Sequence, residues 1–256
     1  MLGSVGWPAT PPSRAWPGPQ LPWQVAYELD FTRLPSQTIS GSSVTIGGVG
    51  WSVSNATNAD TFDLLEGTGL RVAPKDATQF TSSTRTAPWL QVEFDDLMED
   101  HDRTDRLIVQ LRVAIAGLSA DYQSYGLMVG SGSDANDREV GMLETIWATS
   151  LNVRSTRMIS SETNLDTSVS AEPRVLQCAW RAPCVETRYS TPEAWPRPQD
   201  ATIASYDFVL ANQVPTTSDG NFAAATNIVR LWAERNNAAA AYTATFEAIR
   251  VLRQQL

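Results

Sequence analysis

The sequence predicts an all-β chain: an antiparallel β-sandwich behind an extended N-terminal arm. Three observations carry this reading. Apolar and polar residues alternate with period 2 in short runs from Tyr27 to the C-terminus, Gly/Asn/Asp/Ser turn chemistry separates the runs at intervals of about ten residues, and helical periodicity is scarce. With 256 residues, 42% of them hydrophobic and 18% charged, the chain has the length and apolar content for one large sandwich.

The arm comes first. Residues 6–23, GWPATPPSRAWPGPQLPW, hold six prolines and three tryptophans, Trp7, Trp16 and Trp23. Proline supplies no backbone donor and neither continues a helix nor joins a sheet interior, whereas tryptophan is costly to leave in water. The segment must therefore lie on something, its own body or another chain, and residues 1–23 read as a docking arm ahead of a sandwich at 24–256.

In the body, YELDFTRL sets Tyr27, Leu29 and Phe31 against Glu28, Asp30 and Thr32. SSVTIGGVGWSVSNA continues with β-branched residues broken by glycines, and LLEGTGLRVAP reads as a hairpin turning at Gly67 and Gly69. WLQVEFDDL gives a strand with Leu90, Val92 and Phe94 on one face. The strongest signal is DRLIVQLRVAIAGL, where Leu107, Val109, Leu111, Val113 and Ile115 share a face. Strands at 124–130 and 138–148 flank a Gly/Ser/Asp/Asn loop, SLNVRSTRMIS, RVLQCAW, ASYDFVLAN and NIVRLWAERN follow, and YTATFEAIRVLR closes the chain, giving eleven to thirteen strands. FDDLMEDHDR, NFAAATN and the alanine run 238–241 are the helical candidates. The Pro-rich stretch at 190–200 reads as a surface loop.

The formal charge of −9 and the isoelectric point near 4.6 speak against a general electrostatic footprint for nucleic acid or anionic membrane. No run of apolar residues is long enough for a membrane-spanning helix, and the Pro-broken N-terminus does not read as a secretory signal. The basic residues are eighteen arginines and one lysine, Lys75, a bias that fits a GC-rich genome and also suits interfaces. Cys178 and Cys184, with five residues including Pro183 between them, allow either a small disulfide loop or a reduced pair.

No catalytic signature stands out. Glycoside hydrolysis needs two carboxylates, and residues two apart on a strand stand on one face about 6.5–7 Å apart. Glu28 and Asp30 have that spacing, but the acidic triplet E-x-D-x-E is incomplete, and the pair reads as the solvated face of its strand. Glu139 and Glu144 fall on opposite faces of a regular strand. His101, the only histidine, sits in the acidic stretch MEDHDRTDR and reads as a surface residue rather than the base of a triad. Phosphate-binding glycine loops are missing. Asp134, Asn136 and Asp137 offer hard oxygen ligands for Ca²⁺, though the EF-hand spacing fails at Glu139; the cluster Glu99, Asp100, Asp102 and Asp105 is a weaker candidate. Of the tryptophans, Trp195, set among prolines in a long loop, is the best placed to stack on a sugar.

The order of YELDF, RLIVQLRVAI, YGLMVG with VGMLETIW, and YTATFEAIRVL resembles the concanavalin A-like lectin/glucanase jelly roll over about residues 25–253. That resemblance implies a first and last strand lying near one another. The Thr/Ser/Asn/Gly-rich, Lys-poor and Cys-poor texture also resembles bacteriophage tail, fibre and capsid-decoration proteins. It implies a non-enzymatic structural or adsorption component of the virion, assembled in the host cytoplasm and held to other virion proteins by Trp7, Trp16 and Trp23. A homo-oligomer, by analogy a trimer, and a cell-surface glycan partner go with it, without a cofactor other than Ca²⁺. The alternatives are a carbohydrate-binding lectin-like module and a polysaccharide-active sandwich enzyme.

Overall fold

The computed structural model describes residues 23–54, 62–74, 87–99, 106–114, 118–120, 123–130, 139–147, 150–159, 161–169, 172–181, 184–191, 195, 209–215, 228–235 and 240–254. These form two antiparallel sheets. The first contains β1 (Gln24–Asp30), β2 (Gln37–Ile39), β5 (Phe62–Leu65), β6 (Gly69–Val72), β8 (Arg106–Val113), β13 (Val175–Arg181), β14 (Cys184–Ser190), β15 (Val209–Pro215) and β17 (Ala244–Gln254). Its order is β15-β14-β13-β8-β17-β6-β5-β2, with β1 also paired to β17. The second contains β3 (Ser43–Ile46), β4 (Val49–Ser54), β7 (Trp89–Glu93), β9 (Gln123–Gly130), β10 (Glu139–Trp147), β11 (Ser150–Ile159), β12 (Ser161–Val169) and β16 (Ile228–Arg235), in the order β12-β11-β10-β9-β16-β7-β4-β3. The expected sandwich is present, and the first and last strands are neighbours.

Alternation decides what faces inward. Leu107, Val109, Leu111 and Val113 of β8 meet Phe246, Ile249 and Val251 of β17 and, from the facing sheet, Tyr125, Leu127, Val129, Val229 and Leu231 in one core. Phe31 and Trp51 pack edge to face in the same core, their ring centroids 6.3 Å apart. The hairpin at Gly67 and Gly69 forms as expected, and both glycines have positive φ. At Gly69 the requirement is also steric, since a Cβ would stand 2.5 Å from the Phe246 carbonyl oxygen on β17.

Some expectations change. YELDFTRL is not strand throughout: the chain leaves β1 at Asp30, whose carboxylate accepts the Thr32 backbone N–H at 3.0 Å and caps a 3-10 turn over Phe31–Arg33. FDDLMEDHDR holds one helical turn, α1 (Phe94–Leu97), within the one or two turns expected, and its residues 100–103 lie outside the described residues; Ala240 and Ala241 are not helical. NFAAATN lies outside the described residues. Cys178 is buried, is in no disulfide and sits directly opposite Thr187 in the register, whereas Cys184 pairs with Arg181. Three residues of strand separate the two positions by about 10 Å, beyond disulfide reach. Among the described residues no helix is long and apolar enough to cross a membrane.

Candidate functional site

The polar residues of the first sheet collect on its outer face, in rows that run across the strands. On β8 the residues alternating with the core set are Ile108, Gln110 and Arg112. Register then fixes their neighbours. Leu252, Ile108 and Ala179 form an apolar row; Glu28, Arg250, Gln110, Gln177 and Arg188 form a polar row; Asp30, Ala248, Arg112 and Val175 form a third.

The apolar row is covered by Trp23, 7% exposed, which clusters with Ile108, Ala179 and Leu252. This tryptophan of the expected docking arm therefore lies on its own sheet. Trp7 and Trp16 fall outside the described residues.

In the polar row, Arg250 donates from Nε at 3.0 Å and Nη2 at 2.6 Å to Gln110 Oε1, and Gln110 Nε2 donates to Gln177 Oε1 at 2.8 Å. Gln110 and Gln177 are completely buried. Burial lowers the Arg250 pKa from its ordinary value, and the charge of Glu28 across the rung opposes that shift.

In the third row a β-bulge does the positioning. β17 carries one extra residue between Phe246 and Ala248, so Glu247 falls out of the regular alternation. Its carboxylate meets Arg112 Nε at 3.0 Å and Arg174 Nη2 at 3.5 Å. Arg112 Nη2 also lies 3.8 Å from Asp30, whose other oxygen is 3.3 Å from Arg33 Nε. Asp30 and Glu247 are thus held carboxylates. Glu28 is exposed and makes no ion pair among the described residues.

Trp195 joins the rows. Its ring centroid lies 4.7 Å from Arg250 Cζ and 5.4 Å from Arg112 Cζ, so one half-buried indole receives two guanidinium groups. Three residues singled out in the sequence, Glu28, Asp30 and Trp195, thus come together on one face. Arg112, Arg250, Gln110, Gln177 and Glu247 are the members that sequence reasoning missed. Asp134, Asn136 and Asp137 lie outside the described residues, as do His101, Asp100, Asp102 and Asp105.

The second sheet has a smaller polar and aromatic patch on its own outer face. Arg230 donates to Gln91 Oε1 from Nε at 3.2 Å and Nη2 at 2.6 Å, and its Cζ stands 4.6 Å from the Trp89 ring centroid. Trp232 and Met128 are buried beside Trp89. No carboxylate pair is described there.

No family model matches the chain, and no curated protein matches it. Solved structures do. A variant of the GH43 protein BlXynB from Bacillus licheniformis is similar over 93% of this chain at 16% identity, with a TM-score of 0.53. An engineered GH43 glycoside hydrolase with endo-xylanase and exo-arabinofuranosidase activity is similar over 89% at 10% identity, TM-score 0.51. This chain spans 41% of the length of each of these two. LamAcat from Zobellia galactanivorans is similar over 91% of this chain and 98% of its own, at 10% identity and a TM-score of 0.50. At these identities the likeness establishes the fold.

The comparisons correct the expectation of a non-enzymatic phage component. The neighbours include glycoside hydrolases, and nothing found points to a phage. A physical reason accompanies the correction. The virion reading rested on three tryptophans anchoring another chain, and Trp23 is spent on the chain's own sheet.

Proposed function

We propose that this chain is a polysaccharide-active enzyme whose substrate reaches the outer face of the first sheet at its β1 side, where Glu28 is exposed. The observation that carries the reading is one exposed and one held carboxylate, Glu28 and Asp30, two residues apart on one face of β1. They stand beside the Trp195 ring and its two arginines. The sandwich shared with glycoside hydrolases supports it.

The chemistry that suits this pair is hydrolysis with inversion. Residues two apart on a strand stand about 6.5–7 Å apart, which leaves room for a water between two carboxyl groups. Glu28 gives a proton to the leaving glycosidic oxygen as the C–O bond breaks. Asp30, oriented by Thr32, Arg33 and Arg112, takes a proton from the water that attacks the anomeric carbon. Trp195 offers an apolar face for a neighbouring sugar ring.

The test is release of reducing ends from a panel of plant, algal and bacterial polysaccharides. Glu28→Gln is expected to lower turnover by about 10²-fold or more with an unchanged melting temperature. A chain inert on the whole panel, or a Glu28→Gln variant as fast as wild type, would sink the reading. A glycan-binding module without turnover is the second reading, favoured by the ion pairs that engage Asp30 and Glu247. Saturable binding with no change in polymer length would mark it.

A further inference from the structure

We infer that β3 is a contact strand: two copies of this chain pair along it, antiparallel about a two-fold axis at Thr45, so that their second sheets run on as one. The surface belongs to the other sheet from the proposed glycan face and stands independently of that reading.

Charge singles the strand out. In a chain that is 18% charged, no charged residue stands between Arg33 and Asp60. That segment supplies β2, the end strand of the first sheet, and β3, the end strand of the second, joined by residues 40–42. End strands present a row of unpaired N–H and C=O groups, which charged side chains, proline or a bulge ordinarily guard. SVTI has none of these, and its pairing with β4 is regular. The strand is also open: Ser43, Thr45 and Gly47 are exposed, and a depression of about 320 Å³ lies beside Ser43, Thr45, Gly50 and Ser52.

Turn geometry decides which groups are unpaired. Gly47 and Gly48 have φ of 61° and 86°, a type I′ turn, so the flanking Ile46 and Val49 are a hydrogen-bonded pair. By alternation Val44 also bonds to β4, at Trp51, and Ser42 keeps the same phase, accepting the Val53 N–H at 2.8 Å. Ser43 and Thr45 therefore turn their N–H and C=O groups the other way, where no strand receives them among the described residues.

Self-complementarity names the occupant. With Thr45 opposite Thr45 of the second copy, the two exchange N–H···O=C bonds at the axis, Val44 lies opposite Ile46 on the inner face, and the threonine side chains meet on the outer face. Val44 is half-buried at the margin of the core, and this pairing covers the rest of it. Each copy has a net charge of −9, and two such molecules meet with least repulsion along a charge-free side. A contact of this symmetry closes at two.

Sedimentation of the full chain tests this. Wild type is expected to pass from a monomer of 28.0 kDa to a dimer as its concentration rises from about 1 to about 200 μM, the weak range that suits a short strand pairing. Thr45→Lys and Thr45→Glu, at an exposed position, each set like charges directly opposite one another and should stay monomeric at the higher concentration. An equimolar mixture of the two variants should dimerise again. If either variant misfolds, hydrogen exchange decides: wild-type amides in residues 43–47 should exchange more slowly at the higher concentration, and equal rates would overturn the inference. So would a wild type monomeric throughout, an assembly larger than a dimer, a dimer untouched by either charge, or a mixture that stays monomeric.

Discussion

Arg112 carries more of the site than any other single side chain. It meets Glu247, Asp30 and the Trp195 ring at once, and its own side chain is 19% exposed. Replacing it with methionine keeps the apolar stem but strips a partner from two carboxylates. Arg112→Met is expected to cost about 1–3 kcal/mol in urea unfolding, and an unchanged midpoint would show that water replaces these contacts without loss. Tyr27 gives a prediction in pH. Burial raises its hydroxyl pKa from 10.0 to about 12. The folded state therefore keeps the proton where the unfolded state releases it, so Tyr27's contribution is whole below pH 10, declines above it and is lost as pH passes about 12. Tyr27→Phe should flatten that part of the alkaline unfolding curve; a curve unchanged by the substitution would contradict the assignment.

Strands and turns explain how the site is assembled. The bulge in β17 brings Glu247 to Arg112 and Arg174, and the neighbouring Phe246 anchors the same strand in the core. Phe246→Ala should cost about 3–5 kcal/mol by calorimetry or urea unfolding. Gly69→Ala, at φ 120° and against the Phe246 carbonyl, should cost more than about 1 kcal/mol; a neutral result would mean that β6 shifts away from β17 freely. The strands that were plain in the sequence are those with one apolar face, such as β8. Ser161–Val169 was not, because SETNLDTSV is nearly all polar and forms the end strand of its sheet. Glu28 and Asp30 were legible as a spacing and Trp195 as a loop tryptophan. Gln110, Gln177 and Arg250 were not, since they meet across 67 and 140 residues of sequence through register alone. Glu247 reaches the site by a bulge that alternation does not foretell.

At the scale of the molecule, the outer face of the first sheet links the arm to the site. Trp23 seals the apolar row that adjoins the polar one. Trp23→Ala should lower stability by about 2–3 kcal/mol in urea unfolding, and a loss near zero would mean that the apolar row tolerates water. The arm's last tryptophan thus belongs to the sandwich. The most direct measurement is reducing-end release by wild type and Glu28→Gln from the polysaccharide panel. The proposed hydrolytic function predicts turnover by wild type on at least one polymer and a loss of about 10²-fold or more in the variant at equal melting temperature. Turnover that survives Glu28→Gln unchanged, or its absence from every polymer, would contradict it.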